Sequence, residues 1–268
     1  MSNVIVIGGG AAGMMAAYAA ALCGHQVKLM EQNEKLGKKI FITGKGRCNI
    51  TNAGDMDNLF ANVMSNPKFL YSAFYTFNNE QMMSFLEEYG LKMKVERGNR
   101  VFPVSDHSSD VIATLRKALA NKNVEVFLHT KVNHLLVTKE QIKGVGLSDG
   151  REVPADAVIV ATGGFSYQTT GATGDGYRFA EKTGHKLVQR TPALVPFEIK
   201  EAWVKELQGL SLRNVSVSVY NEKKKLYEDF GEMLFTHFGV SGPLILSASG
   251  MITVSYTHLR AHETRSNL

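Results

Sequence analysis

Val4-Ile5-Val6-Ile7 runs straight into Gly8, Gly10 and Gly13, and Glu31 follows. Four consecutive β-branched apolar residues read as a parallel strand buried on both faces. The glycines have GxGxxG spacing, and each has its own task. Gly8 permits a tight turn, Gly10 lets the backbone approach a diphosphate, and Gly13 lets a helix pack closely on the strand. Residues 11–22, AAGMMAAYAAAL, read as that helix. Its free N-terminal amides and its dipole attract phosphate. A second strand, HQVKLME, ends in Glu31. An acid about twenty residues past the glycines is where ribose hydroxyls are bound, and it disfavours a 2′-phosphate. The unit predicts an α/β chain with a Rossmann-like sheet and an NAD-like or FAD ligand.

Residues 2–24 carry no charge, and that length would suit a membrane span. The glycine cluster cuts the stretch in two and no basic residue precedes it, so neither a span nor a signal peptide is expected. The net charge of +5 and pI near 9.1 suit an anionic ligand without demanding nucleic acid. Cys23 and Cys48 are the two cysteines, with no CxxC pair. A disulfide framework and a metal site are not expected, and a reducing, cytoplasmic compartment is.

The chain after Glu31 separates the two ligand classes. Simple NAD dehydrogenases return here to a third strand. This chain continues instead into QNEKLGKKIFITGKGRCNITN. Lys38, Lys39, Lys45 and Arg47 supply charge, and Gly44 and Gly46 supply exposed amides. Such a nest suits a diphosphate or the electron-rich edge of a reduced flavin. Helices follow at PKFLYSAFYTF and NNEQMMSFLEEYG, with Asn78 or Asn79 as N-cap and Gly90 as stop. Their Met and Phe residues read as core. Ser108 or Ser109 is expected to cap a helix to about residue 121. VEVFL reads as another parallel strand, and residues 131–156 as an antiparallel meander turning at Asp149-Gly150. A last strand, 157–161, enters Thr162-Gly163-Gly164, where small residues let the backbone approach a flat ligand. This order is that of two-dinucleotide-fold flavoproteins.

The motifs VIVIGGGAAGMMAA, EKLGKKIFITGKGRCNITN, GNRVFP, ATGGFSYQTTGATGDGY and GEMLFTHFGVSGPLILSAS together resemble the aminoacetone oxidase-like, BaiN-like group of FAD-binding oxidoreductases. The resemblance covers residues 1 to about 253. It implies an FAD domain with an inserted β-rich domain. It implies that Gly8, Gly10, Ala12 and Gly13 hold the diphosphate and Glu31 the AMP ribose. Arg47, Cys48 and Asn49 would lie along the flavin, Val132 would meet adenine through its backbone, and Thr162 and Gly163 would lie near the flavin end. Related enzymes look like amine oxidases or C=C reductases acting on small molecules.

The expected domains are 1–190 for FAD, 191–253 for a partial β-rich insertion, and 254–268 as a non-native tail. Residues 254–264 back-translate onto a transposase-library adapter read in frame, so His258 and His262 are not read as metal ligands. Loss of the family's returning segment is expected to impair activity. Arg100, with Arg97, is a candidate clamp for an anionic substrate or a surface or cofactor-facing arginine, and His237 is a structural hydrogen-bonding histidine or, less favoured, a candidate acid–base group. Asp175 reads as a helix cap and Trp203 as packing. One GxGxxG leaves no evident nicotinamide site, although NAD(P)H remains open as a transient donor. Nucleic acid is disfavoured as a partner because the basic residues are not interleaved with aromatics. The competing readings are an RNA-associated flavoprotein and an NAD-dependent dehydrogenase.

Overall fold

In the computed structural model, which describes residues 1–252 except 65, 189 and 191, the first strand sits inside a four-stranded parallel sheet. β1 (Asn3–Ile7) pairs with β2 (Gln26–Met30) on one side and with β10 (Ala157–Val160) on the other. β2 in turn pairs in parallel with β6 (Glu125–Phe127). The residues of the expected tail, including His258 and His262, lie outside those described.

Strand alternation sorts the β1 side chains into two cores. Val4 and Val6 pack with Met14, Ala17, Leu29 and Leu86 on one face. Ile5 and Ile7 pack with Val132, Val145, Leu147 and Phe179 on the other. Burying such a side chain fully is worth roughly 1.5–3 kcal/mol. The first core is covered by α1 (Ala11–Leu22), α5 (Asn79–Glu88) and α6 (Ser108–Asn121). The second is covered by the meander β7 (Val132–Thr138), β8 (Gln141–Leu147) and β9 (Glu152–Pro154), together with α7 (Asp175–Lys182).

Between β2 and α5 lie α2 (Lys38–Ile42), β3 (Thr51–Asn52), α3 (Met56–Ala61) and α4 (Tyr71–Thr76). β3 joins β5 (Arg100–Pro103) and β4 (Met93–Glu96) in a small antiparallel sheet of order β3-β5-β4. The Asn78 side chain caps α5 in a reciprocal box with Gln81. At α6 the cap position falls to His107, without a side-chain cap, and Ser108 Oγ instead donates to the Phe41 carbonyl at 2.8 Å. The serine cap expected there is corrected: the hydroxyl ties α6 to the end of α2. The expected Asp175 cap is corrected too. Gly174 holds that position at φ +79, and Asp175 is the first helical residue, paired with Arg178 at 2.8 Å.

The chain divides into two compact units, Met1–Leu187 and the part from Val188 onward. The second is built on a long hairpin, β12 (Ser211–Asn221) and β13 (Lys224–Phe235), extended by β14 (Gly239–Ser241) and β11 (Phe197–Glu198). Its core gathers Val204, Phe235, Val240 and Ile245, the last from α8 (Pro243–Met251). Trp203 packs against Phe235 with ring centroids 6.2 Å apart. Among the described residues no helix is long and apolar enough to cross a membrane.

Candidate functional site

The turn from β1 into α1 is fixed by contact. Gly8 has φ +106, and a Cβ there would lie 2.5 Å from the Ala161 carbonyl oxygen. A Cβ on Gly13 would lie 1.8 Å from the Gly8 carbonyl oxygen, so only glycine lets α1 seat this closely on the turn. Gly10 differs, because a Cβ there would meet nothing within 4 Å. It occupies the N-cap of α1 with no side chain capping the helix. The first amides of α1 are thus left to whatever occupies the space in front.

That space is a cavity of about 460 Å³. Gly8, Gly10, Ala12, Glu31, Cys48, Asn49, Val132, Thr162 and Gly163 all line it. Gly13 packs beneath Gly8 rather than lining it. The cavity also has a wall that the sequence did not signal: Met15 of α1, Met82 and Leu86 of α5, and Val111 and Leu115 of α6. Helical spacing marks these side chains as buried, but not as facing a cleft.

Glu31 is 7% exposed. Its Oε2 accepts from the Gly9 amide at 2.6 Å, and its Oε1 accepts from the Asn33 amide at 2.8 Å and from Asn33 Nδ2 at 2.6 Å. A carboxylate has about four acceptor positions, so three donors fix it and leave one without a donor among the described residues. Asn33 Nδ2 also donates to the Thr170 carbonyl at 3.1 Å, and Gln32 Nε2 to the Gly171 carbonyl at 2.8 Å. These bonds hold the loop after β10 against the end of β2. Gln32, Asn33, Thr170 and Gly171 all line the cavity; Thr170 and Gly171 fall inside the motif at 161–177, but no signal in the sequence singled out any of the four.

The basic segment after α2 turns through Gly44 at φ +57 and Lys45 at φ +56, and Cys48 stands at φ +61. This places Thr43, Cys48, Asn49 and Ile50 on the cavity. Arg47 does not line the cavity but pairs with Glu96 and, at 2.7 Å, with Asp106, and its guanidinium lies 4.3 Å from the Phe102 ring centre. Lys94 completes the cluster at 2.6 Å from Asp106. Arg47 holds the Glu96 carboxyl below its ordinary value, and Lys94 and Arg47 do the same for Asp106. Those two acids in turn push Arg47 up. Arg47 thus anchors the segment to β4 and the loop after β5.

Burial pushes the Cys48 thiol up, against a hydrogen bond with Thr43. A buried, protonated thiol is a poor nucleophile. Asp175 lines the cavity with its carboxyl below the ordinary value, because Arg178 and Thr173 outweigh its burial. Arg100 is exposed at the start of β5, its Nε donating to the Arg97 carbonyl at 3.1 Å. His237 belongs to the second unit, where its ring meets Phe238 edge-on at 4.8 Å.

The sequence profile of the HI0933-like protein Rossmann domain matches residues 2–251. The chain is 35% identical over 245 residues to a 3-dehydro-bile acid delta(4,6)-reductase of Clostridium scindens, covering 90% of this chain and 58% of that one. It is 30% identical over 247 residues to a ribosomal RNA dihydrouridine synthase of Escherichia coli, covering 92% of this chain and 60% of that one. The chain therefore spans about three-fifths of the length of these curated relatives. Among solved structures, the quinol fumarate reductase subunit FrdA of Escherichia coli superposes with a TM-score of 0.56 at 16% identity, over 80% of this chain and 43% of that one. At that identity the likeness is one of fold. The uncapped α1, the parallel sheet and the match along nearly the whole described chain agree: this chain belongs to the HI0933-like Rossmann-domain family.

Proposed function

We propose that the cavity binds FAD and that the chain is the cofactor-holding part of an oxidoreductase that reduces a carbon–carbon double bond in a small organic substrate. The observation that carries this reading is the entrance to α1, where uncapped amides and an open Gly10 face a cavity with a fixed acid at Glu31. Diphosphate fits the amides, and a ribose hydroxyl fits the one acceptor position left on Glu31. On this reading Gly8, Gly10 and Ala12 hold the diphosphate, Glu31 the ribose, and Val132 meets adenine through its backbone. Cys48, Asn49, Thr162 and Gly163 border the flavin. No catalytic role is assigned to Arg100 or His237.

When bound, the flavin would supply hydride chemistry, with NAD(P)H as a transient donor. The reductase reading is favoured over amine oxidation by the relatives' names. A delta(4,6)-reductase of a 3-dehydro steroid and a dihydrouridine synthase both describe saturation of a C=C bond conjugated to a carbonyl. Such a saturation adds a hydride, which a bound reduced flavin would supply, and a proton across the double bond. A second reading keeps this chemistry and changes the substrate to uridine in RNA; the 30% identity to the dihydrouridine synthase supports it.

The deciding measurement is the visible spectrum of the purified, desalted chain, followed by acid release of the chromophore. We expect flavin absorption and release of FAD. A colourless protein that takes up NAD in place of added FAD would sink the reading. Anaerobic bleaching by NADPH, followed by recolouring with either a 3-oxo-Δ4 steroid or a uridine-containing RNA, then separates the two substrates.

A further inference from the structure

Five cations stand in the segment after Glu31, and the structure treats them differently: Lys35 lies over the Phe41 ring, 5.0 Å from its centre. Arg47 is neutralised by Glu96 and Asp106. Lys38 is held 3.3 Å from Glu34 and 3.3 Å from Asn33 Oδ1. Lys45 is exposed and does not line the cavity. Lys39 is half-buried and lines the cavity. Among the described residues its ammonium makes no hydrogen bond or ion pair. Its Nζ lies 3.8 Å from where a Cβ on Gly163 would be, and Gly163 follows Thr162, whose Cα lies 3.2 Å from the Cβ position of Gly8. The free ammonium thus stands beside the glycine turn that opens α1.

An ammonium drawn partly out of water needs a counter-charge. Two parts of a flavin dinucleotide could provide one. The oxidised ring is neutral and becomes anionic only on reduction, whereas the diphosphate is anionic in both states. A lysine lacking any acid partner among the described residues matches the permanent anion. Lysine also suits phosphate as a compact point charge.

We propose that Lys39 clamps the diphosphate of the bound dinucleotide, opposing the uncapped amides of α1, and that it is the one cation of the basic segment with this role. The proposal rests on the reading of the cavity as a dinucleotide site, but it holds for any diphosphate-bridged dinucleotide.

The test is a binding titration of cofactor-stripped wild type, Lys39→Met and Lys39→Arg with FAD, ADP and adenosine. Lys39→Met keeps the aliphatic stem and removes the charge. It is expected to weaken FAD and ADP by about tenfold or more, with a shallower salt dependence, and to leave adenosine unchanged. Lys39→Arg is expected to stay within about threefold of wild type. Equal losses for ADP and adenosine, or no loss for ADP, would overturn the proposal. So would an FAD reduction potential lowered in Lys39→Met with ADP unaffected, because that outcome puts the charge on the ring. Wild type that binds ADP but not FAD defeats the flavin reading alone and leaves the ADP comparison decisive for Lys39. Wild type that binds neither defeats both.

Discussion

Gly10 and Gly13 are three residues apart in one motif, and a methyl group would do opposite things at the two positions. At Gly13 it would fall 1.8 Å from the Gly8 carbonyl oxygen, so α1 must move away from the turn. Overpacking of this kind costs about 1–3 kcal/mol, and backbone contact puts Gly13→Ala at the upper end. Each kcal/mol lowers Tm by about 2–4 °C in a unit of this size. At Gly10 the methyl meets nothing, and φ is −81, which alanine accepts. Gly10→Ala should leave the melting temperature of the ligand-free protein unchanged. It should weaken FAD by roughly tenfold, about 1.4 kcal/mol, because the methyl occupies the approach to the α1 amides. Equal destabilisation by both variants would show that Gly10 is structural. The motif spacing announced both glycines. It did not announce Asn33, whose side chain bridges Glu31 and the Thr170 carbonyl, because amide side chains at strand ends carry no periodic signal.

The basic segment between α2 and β3 shows how an element can be legible in composition and opaque in detail. Its glycines and cations pointed to a cofactor loop, and Cys48 and Asn49 do line the cavity. Arg47 does not, since its partners come from about fifty residues further along the chain and a local reading cannot see them. The cluster makes a pH prediction. Glu96 and Asp106 are held below their ordinary values of 4.5 and 3.8, chiefly by hydrogen bonds from Arg47 and Lys94. A depressed carboxyl contributes stability above its unfolded value and loses it as pH falls through the folded value. Anchoring of the segment should therefore be intact at neutral pH and fade below the ordinary carboxylate range. Amide exchange across residues 43–50, corrected for intrinsic rate, should rise over that window. Molar salt should raise it as well, because these groups are partly exposed and screened. In Arg47→Met the exchange should already be fast at pH 7 and insensitive to acid. Identical profiles for wild type and variant would remove Arg47 from the anchoring role.

At the scale of the molecule, the parallel sheet, meander and β1–α1 turn were legible because each follows from a local pattern. Four β-branched residues, a GxGxxG turn and a hairpin at Asp149-Gly150 leave little choice. The apolar wall of the cavity was not legible, because Met82, Leu86, Val111 and Leu115 satisfy core periodicity whether they face a neighbour or a cleft. That double role ties binding to stability. The same side chains pack against α1 and border the cavity, so a ligand that fills it should act on the whole of the unit Met1–Leu187. A ligand that binds only the folded state at about 100 times its Kd adds roughly 2.7 kcal/mol. For a unit of this size that corresponds to about 5–11 °C in Tm. Calorimetry of the stripped protein with and without FAD should show this shift, growing with the logarithm of ligand concentration. Amide protection should rise together in the glycine turn, residues 43–50 and residues 168–172. These three segments border the cavity, and Glu31 and Asn33 join the glycine turn to the loop at Thr170. A shift in Tm without added protection in residues 168–172 would mean that the Asn33 bridge does not couple the loop to the ligand. An unchanged Tm at saturating FAD would mean that the cavity is a packing feature of the fold and not its binding site.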